Sequence, residues 1–474
     1  MAGQGAPPLG RRVTMLYGVG GIGNALRNSL NALFVVYFYT TVQGLSGALV
    51  GAAAVIGLAA DLVFDPLIGH LSDRAHFRFS RQGFMLAGSV TMGAGFWAVF
   101  NPPAGLSQGG LFAWLLAMSV IGRLGMAVFT IPYFALGAEL SQDYQGRTAI
   151  SGARGILVLL ATLVAASSSF FLFFPNETAG VDPKLNVEGY ARLGWMIGLV
   201  ITLAGVISVL GTRRPGARPA ASAESSRERA MSLTGLVDAL GNRSFRLVFI
   251  SFVLFFLGVV FNTALAIHYL TYYVGIGSSA ALGSFQLAFY GGAVLGMVIW
   301  LRLARFIDKH VLHAVAALAT AGLALAAFLL VGEGHLLGTG SVRAMLVGHA
   351  LGGCLCSIVW FMPQSMIADV SDEEELATGR RREGSFFGLF YLGRQLAVGA
   401  SALLAGVLLD WFAGFEAGAA VQSAGTVWRI GLLFGLGPAL VIGLSGLVML
   451  RYTLSERRVA AIRMKLDSRR ALNA

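Results

Sequence analysis

Runs of about twenty apolar residues recur from end to end of this chain, and each is long enough to cross the hydrocarbon core of a bilayer. In lipid there is no water to satisfy backbone N–H and C=O groups, so a crossing segment closes its own hydrogen bonds as a helix. Composition agrees. The chain is 56% hydrophobic and 12% charged, where a soluble domain carries about a quarter charged residues. Twelve spans are predicted, at 13–41, 47–71, 83–100, 110–139, 149–173, 190–211, 245–274, 279–301, 311–331, 342–367, 385–412 and 426–451. The first is followed by many more, so it reads as a membrane helix and not as a cleaved signal peptide. Cys354 and Cys356 both lie inside an apolar run, which predicts free buried thiols rather than a disulfide framework or a metal site.

Basic residues set the orientation. With both termini in the cytoplasm, inner segments hold 26 of the 34 Lys and Arg residues and outer segments only Lys184, Arg192, Arg343 and Arg429. That asymmetry predicts N-in and C-in. It also accounts for the net charge of +11 through anionic headgroups on the inner leaflet, so a nucleic-acid partner is not needed. The longest polar stretch before the C-terminal tail runs from Thr212 to about Arg243 and has a linker composition. Within it, Met231 to Leu240 could form a short amphipathic helix on the membrane surface. Six spans precede the linker and six follow. The predicted organisation is a six-helix bundle over 1–211, a linker over 212–244, a second bundle over 245–451 and a basic cytoplasmic tail over 452–474. This all-α plan is that of a major facilitator transporter. Charged turns after the second span (Gly69 to Arg74, then Arg78) and the eighth (Arg302 to Lys309) echo one another, although short inner loops are basic in any case.

Charges inside the spans point to function. Asp61 and Asp65 lie four residues apart in a long apolar run, so both carboxylates share one helix face. Two like charges in hydrocarbon persist only if a cation, a proton or a basic partner neutralises them. Sodium and a proton both remain open as the neutralising ion. Asp65 with Pro66 could instead cap the inner end of the span. Arg27 lies mid-span near Asn24, Asn28 and Asn31. Its partner is Asp61, or it reads an anionic group on a substrate, or it makes a structural ion pair. Arg154 and Arg394 lie one in each half and could hold an anionic solute between them, with snorkelling to the surface as the alternative for Arg154. Tyr133, Phe134, Asn262, His268, Gln286, Trp360, Tyr391 and Gln395 are further candidates to line a cavity, set against ordinary packing. Asp73, Arg74, Arg78, Asp369 and Asp372 fall in predicted inner loops and read as gating charges or as solvated loop charges.

In order along the chain stand Tyr17-Gly-Val-Gly, Phe38-Tyr39-Thr40, Asp61-Leu-Val-Phe-Asp65-Pro66-Leu-Ile-Gly69 with Ser72-Asp73-Arg74, and Ile131-Pro132-Tyr133-Phe134-Ala135-Leu136-Gly137-Ala138-Glu139-Leu140 with Arg147. Later come Met362-Pro363, Ala368-Asp369-Val370-Ser371-Asp372, and Arg382-Glu383-Gly384-Ser385-Phe386-Phe387-Gly388. Together these resemble the glycoside–pentoside–hexuronide:cation symporters, the branch of the major facilitator superfamily that contains the melibiose permease; the animal lysophosphatidylcholine symporters look like a related branch. The resemblance implies that Asp61 and Asp65 are cation-site carboxylates. It implies that Thr130 stands where the permease has a third acidic residue, offering a hydroxyl but no charge. The Lys-Asp pair of the permease's first helix is replaced by Asn24 and Ala25, its eleventh-helix basic residue aligns with Gln395 beside Arg394, and Arg154 matches a substrate-side arginine.

The expectation is a cation-coupled symporter, not an enzyme, working by alternating access in the cell membrane. Na+ or H+ is the coupling ion and there is no resident cofactor. The solute is a small organic molecule, a sugar or sugar acid by resemblance. The arginines and the missing sugar carboxylates push toward an anionic or amphipathic one. Lysophospholipid uptake is the runner-up, and a non-transporting receptor or lipid-binding scaffold the alternative of another class. The expected partners are solute, cation and membrane lipid, with a monomer as the assembly.

Overall fold

The structure is a computed structural model that describes residues 11–74, 81–140, 144–174, 182–212, 239–379, 382–419 and 421–472. Among these residues the secondary structure is helical throughout. The helices are α1 (Arg11–Tyr37), α2 (Gly47–Arg74), α3 (Arg81–Val99), α4 (Gln108–Leu140), α5 (Tyr144–Phe173), α6 (Val187–Gly211), α7 (Arg243–His268), α8 (Ser279–Leu303), α9 (Lys309–Leu330), α10 (Val342–Cys356), α11 (Met362–Thr378), α12 (Glu383–Val407), α13 (Ala424–Met449) and α14 (Glu456–Leu472). Ten helical stretches among the described residues are long and apolar enough to cross a membrane. Two predicted spans, α1 and α3, are helices outside those ten. The reason in α1 is its polar content: Asn24, Arg27, Asn28 and Asn31 lie within its length.

The predicted tenth span is broken and longer than its sequence suggested. After α10 the chain tightens into a 3-10 turn over Ser357–Trp360, and α11 starts with Pro363 in its first turn. A proline fits there because its missing N–H has no intrahelical partner to lose. α11 then continues to Thr378 and stops at Gly379, whose φ of 69° places it in the left-handed region that glycine enters without a Cβ clash.

By its contacts the chain divides into two compact units, Met1–Ala221 with Ser278–Gly283 and Glu416–Ala420, and Ser222–Gly277 with Ser284–Phe415 and Val421–Ala474. In the first unit α1 packs on α5 and α6, α3 on α4 and α6, and α2 on α4. Glycine makes the close approaches: a Cβ at Gly88 would lie 2.4 Å from the Phe129 amide, and one at Gly125 would lie 2.4 Å from that of Met92. Small residues at helix crossings are the means by which membrane helices gain contact, since lipid gives no hydrophobic drive between them.

In the second unit α13 packs on α7 and α9, and α12 on α7. α8 meets α10 through Gly296 and Gly353, where a Cβ would come within 2.3 Å of the Cys354 carbonyl oxygen and 1.8 Å of that of Phe289. Residues 452–472 are more than a bare tail. Val459, Ile462 and Leu466 of α14 are buried in the apolar core of this unit, on the three- and four-residue spacing of a helix face.

Three helices end in the same way. α1, α7 and α12 each widen into a π turn, over Phe38–Val42, Tyr269–Tyr273 and Leu408–Phe412. In each the next amide reaches back five residues: Gln43 to Phe38, Val274 to Tyr269 and Ala413 to Leu408, all at 2.9 Å. A second amide, on Leu45, Ile276 or Phe415, then reaches back six residues. Between the two donors sits Gly44, Gly275 or Gly414, with φ of 71°, 75° and 66°.

Candidate functional site

Within the first unit, α1, α2 and α4 bring three charged side chains together, Arg27, Asp61 and Arg123. Asp61 on α2 is only 3% exposed. Its carboxylate accepts a hydrogen bond from the Arg123 guanidinium of α4 and forms a salt bridge with it. Arg123 lies across Gly57, one turn before Asp61, where a Cβ would stand 2.7 Å from its Nε. Arg27 on α1 lies over Gly122, the neighbour of Arg123, with 3.4 Å from a Cβ there to its Nε. Arg27 is 5% exposed, and both guanidinium groups act electrostatically on Asp61.

Of the three alternatives for Arg27, a direct pairing with Asp61 is not the one found. The salt bridge belongs to Arg123, and the hydrogen-bond partners of Arg27 are the Asn28 side-chain oxygen at 3.5 Å and the Met126 sulfur at 3.6 Å, both neutral. Thr130 accepts a 2.7 Å hydrogen bond from Asn24 Nδ2, while the buried Asn24 Oδ1 has no hydrogen-bond partner. Thus the contacts of Asp61 and Thr130 run to Arg123 and Asn24 respectively. Asp65, one turn after Asp61, is half-buried. Arg123 is the residue that sequence reading left without a role. The signal was available: an arginine deep in an apolar helix needs a counter-charge, and α2 supplies one.

Other predicted residues separate into contact and packing. The Phe134 ring is 47% exposed and carries the Arg154 guanidinium at 4.8 Å, a cation–π arrangement. The stem of Arg154 lies against Gly21 of α1, with its Cγ 2.9 Å from a Cβ built there. In the second unit Arg394 sits likewise over Phe256 at 5.3 Å. Tyr391 is exposed, and Trp360 and Gln395 are half-buried.

Tyr133 and His268, open in the sequence between lining a cavity and ordinary packing, are both buried against neighbouring rings. Tyr133 stacks on Tyr17 with ring centroids 4.4 Å apart. Each hydroxyl of that pair donates to the other's backbone carbonyl, at 2.9 Å from Tyr133 and 3.2 Å from Tyr17. His268 has no exposed surface and meets Phe415 edge-on at 5.2 Å.

The inner-loop charges that are described lie in one unit. Asp369 accepts from Lys309 Nζ at 2.5 Å and from Arg463 at 3.1 Å, and Asp372 accepts from Arg463 Nε at 2.9 Å. Arg458 reaches Glu373 at 3.5 Å, and the Glu456 amide donates to Asp308 at 2.8 Å. The bonds of Arg458 and Arg463 hold α14 against α11, Lys309 ties α11 to α9, and the Glu456 amide fixes the start of α14 at Asp308. The carboxylate of Asp372 holds the Arg463 guanidinium above the usual arginine range. Arg78 lies outside the described residues, as do the side chains of Asp73 and Arg74 and residues 213–238 of the linker.

Residues 16–456 match the family described as MFS/sugar transport protein. The chain belongs to that family. It is a secondary transporter of the glycoside–pentoside–hexuronide:cation symporter type. An uncharacterised symporter of Synechocystis is 25% identical, covering 97% of each chain. A putative glycoside/cation symporter of Escherichia coli is 23% identical over 96% of this chain and 94% of that protein. The sphingosine-1-phosphate transporter of Mus musculus is 23% identical over 92% of this chain and 87% of its own. Among solved structures, a bacterial homologue of the human lysosomal transporter Spinster has a TM-score of 0.64 at 16% identity, covering 95% of this chain and all of that one. That likeness is one of fold.

Proposed function

We propose that this symporter carries an anionic glycoside or sugar acid, working by alternating access from twelve spans in the cell membrane with both termini in the cytoplasm. The single observation behind the solute class is Arg27. It is a buried guanidinium whose hydrogen-bond partners are an amide oxygen and a thioether, while the nearby carboxylate is bound to Arg123. Burying a cation without a bound anion is costly, and a solute carboxylate would lower that cost. Asn24, with its unpartnered Oδ1, would add an acceptor for a sugar hydroxyl one turn from Arg27. Arg154 over Phe134 and Arg394 over Phe256 offer further cation-and-ring surfaces, one in each unit.

The test is counterflow in proteoliposomes with hexuronates and glucuronides beside neutral glycosides of the same size. The reading expects exchange of the anionic series, lost in Arg27→Gln. Exchange of neutral glycosides that Arg27→Gln leaves unchanged would overturn it. A second reading, an amphipathic phosphate-bearing lipid, is favoured by the sphingosine-1-phosphate transporter among the relatives. The same assay decides between them, with a lysophospholipid series as its third arm.

A further inference from the structure

We infer that Arg123 is a tethered counter-cation: it fills, at Asp61, the place a transported sodium ion would take, so that Asp61 is not a sodium ligand in this protein. The inference rests on the symporter reading only in supposing that some cation drives transport. Its geometry stands alone.

Asp61 is almost wholly enclosed in an apolar helix, and a carboxylate there is kept ionised only by a positive charge close by. Arg123 supplies that charge through a direct salt bridge, with 18% of its side chain exposed. α2 is shaped to receive it. Gly57 leaves open the space where any larger side chain would strike Nε at 2.7 Å. A second guanidinium, that of Arg27, lies over the adjacent Gly122. Two positive groups thus stand at Asp61, with Asp65 one turn further along the same helix face. Sodium reaching the Asp61 carboxylate would have to displace a guanidinium already bonded to it, in a medium of low dielectric constant where two cations at one carboxylate repel with little screening. Water or a metal ion can exchange with the bulk. An arginine is covalently held and does not deprotonate in proteins, so this charge stays with the protein through every cycle. Asp61 thereby becomes a fixed structural carboxylate, and the driving ion must act elsewhere.

Wild type, Asp61→Asn, Arg123→Gln, Arg123→Met, Arg123→Lys and the double variant Asp61→Asn with Arg123→Gln are compared in lipid nanodiscs. Binding of radioactive sodium and the melting temperature are measured in sodium chloride against choline chloride. Wild type and Arg123→Lys should show no saturable sodium binding that depends on Asp61. Arg123→Gln or Arg123→Met, whichever folds, should gain saturable binding and a sodium-specific rise of several degrees, because a ligand of the folded state stabilises it. The double variant should lose both.

Sodium binding by the wild type that Asp61→Asn removes would overturn the inference. So would a folded Arg123→Gln or Arg123→Met protein that gains no sodium binding. Uptake driven by a proton gradient against a sodium gradient separates the two ideas. No uptake under either gradient defeats the symporter reading and leaves the binding result to stand or fall by itself.

Discussion

Two ionic networks in this molecule use the same chemistry in opposite settings. In the first unit a single carboxylate, Asp61, is buried with Arg123 between apolar helices. In the second unit Asp369 and Asp372 are held by Lys309 and Arg463, whose side chains are 37% and 56% exposed. The buried pair has no water to fall back on when one partner is lost. The outer network does, and each of its cations can be replaced by solvent. The comparison teaches that depth, more than bond count, decides what an ion pair contributes here.

The largest effect should come from Asp61→Asn, which strands two buried guanidinium groups. A loss of about 3–5 kcal/mol of stability is expected, read as a fall in melting temperature of the reconstituted protein. Asp61→Asn combined with Arg123→Gln should be much closer to wild type than either single change. If the two costs simply add, the pair is not coupled and the contrast with the outer network disappears.

Asp369→Asn comes next. It removes contacts to Lys309 and Arg463, and because both partners stay partly solvated the loss should be about 1 kcal/mol. Hydrogen exchange should rise in α14 and not in α1 or α2. Raising salt to about 1 M, where the Debye length falls to about 3 Å, should loosen α14 in the same measurement and leave Asp61–Arg123 untouched. Equal salt sensitivity in both places would remove the distinction drawn here. The smallest effect belongs to Tyr133→Phe. It deletes one hydroxyl bonded to the Tyr17 carbonyl, which costs about 1 kcal/mol. Solute affinity should be unchanged, and a tenfold loss would return Tyr133 to the solute site.

Much of the architecture is legible in the amino-acid sequence because the bilayer fixes one length scale. The apolar runs between Gly47 and Leu450 are helices close to their predicted limits. The tenth span escaped that logic. Its charged end, Asp369 to Glu375, reads as a loop by hydropathy, yet Asp369, Asp372 and Glu373 are paired by α14 and Lys309, Glu374 by Arg382, and the helix runs on to Thr378. α14 itself escaped because its seventeen residues are strongly charged, with only a narrow apolar face at Val459, Ile462 and Leu466.

The site was half legible for a related reason. Sequence shows that Asp61, Arg27 and Arg123 each need a partner. It does not show which helix faces which, and Gly57 and Gly122 settle that by making room for particular arginines. Tyr133 and His268 stayed open between solute and packing for the opposite reason. A polar aromatic in a span can satisfy itself on a neighbour's backbone or ring as well as on a solute.

The repeated endings of α1, α7 and α12 have one more consequence. Each is a stapled corner in which two amides and one left-handed glycine fix where the chain turns back. A staple of that kind is sensitive to spacing, since a residue inserted or deleted in the shared stretch, Tyr39 to Gln43 in the first corner, alters both bonds at once. These corners are thus poor places to graft a tag or an affinity handle.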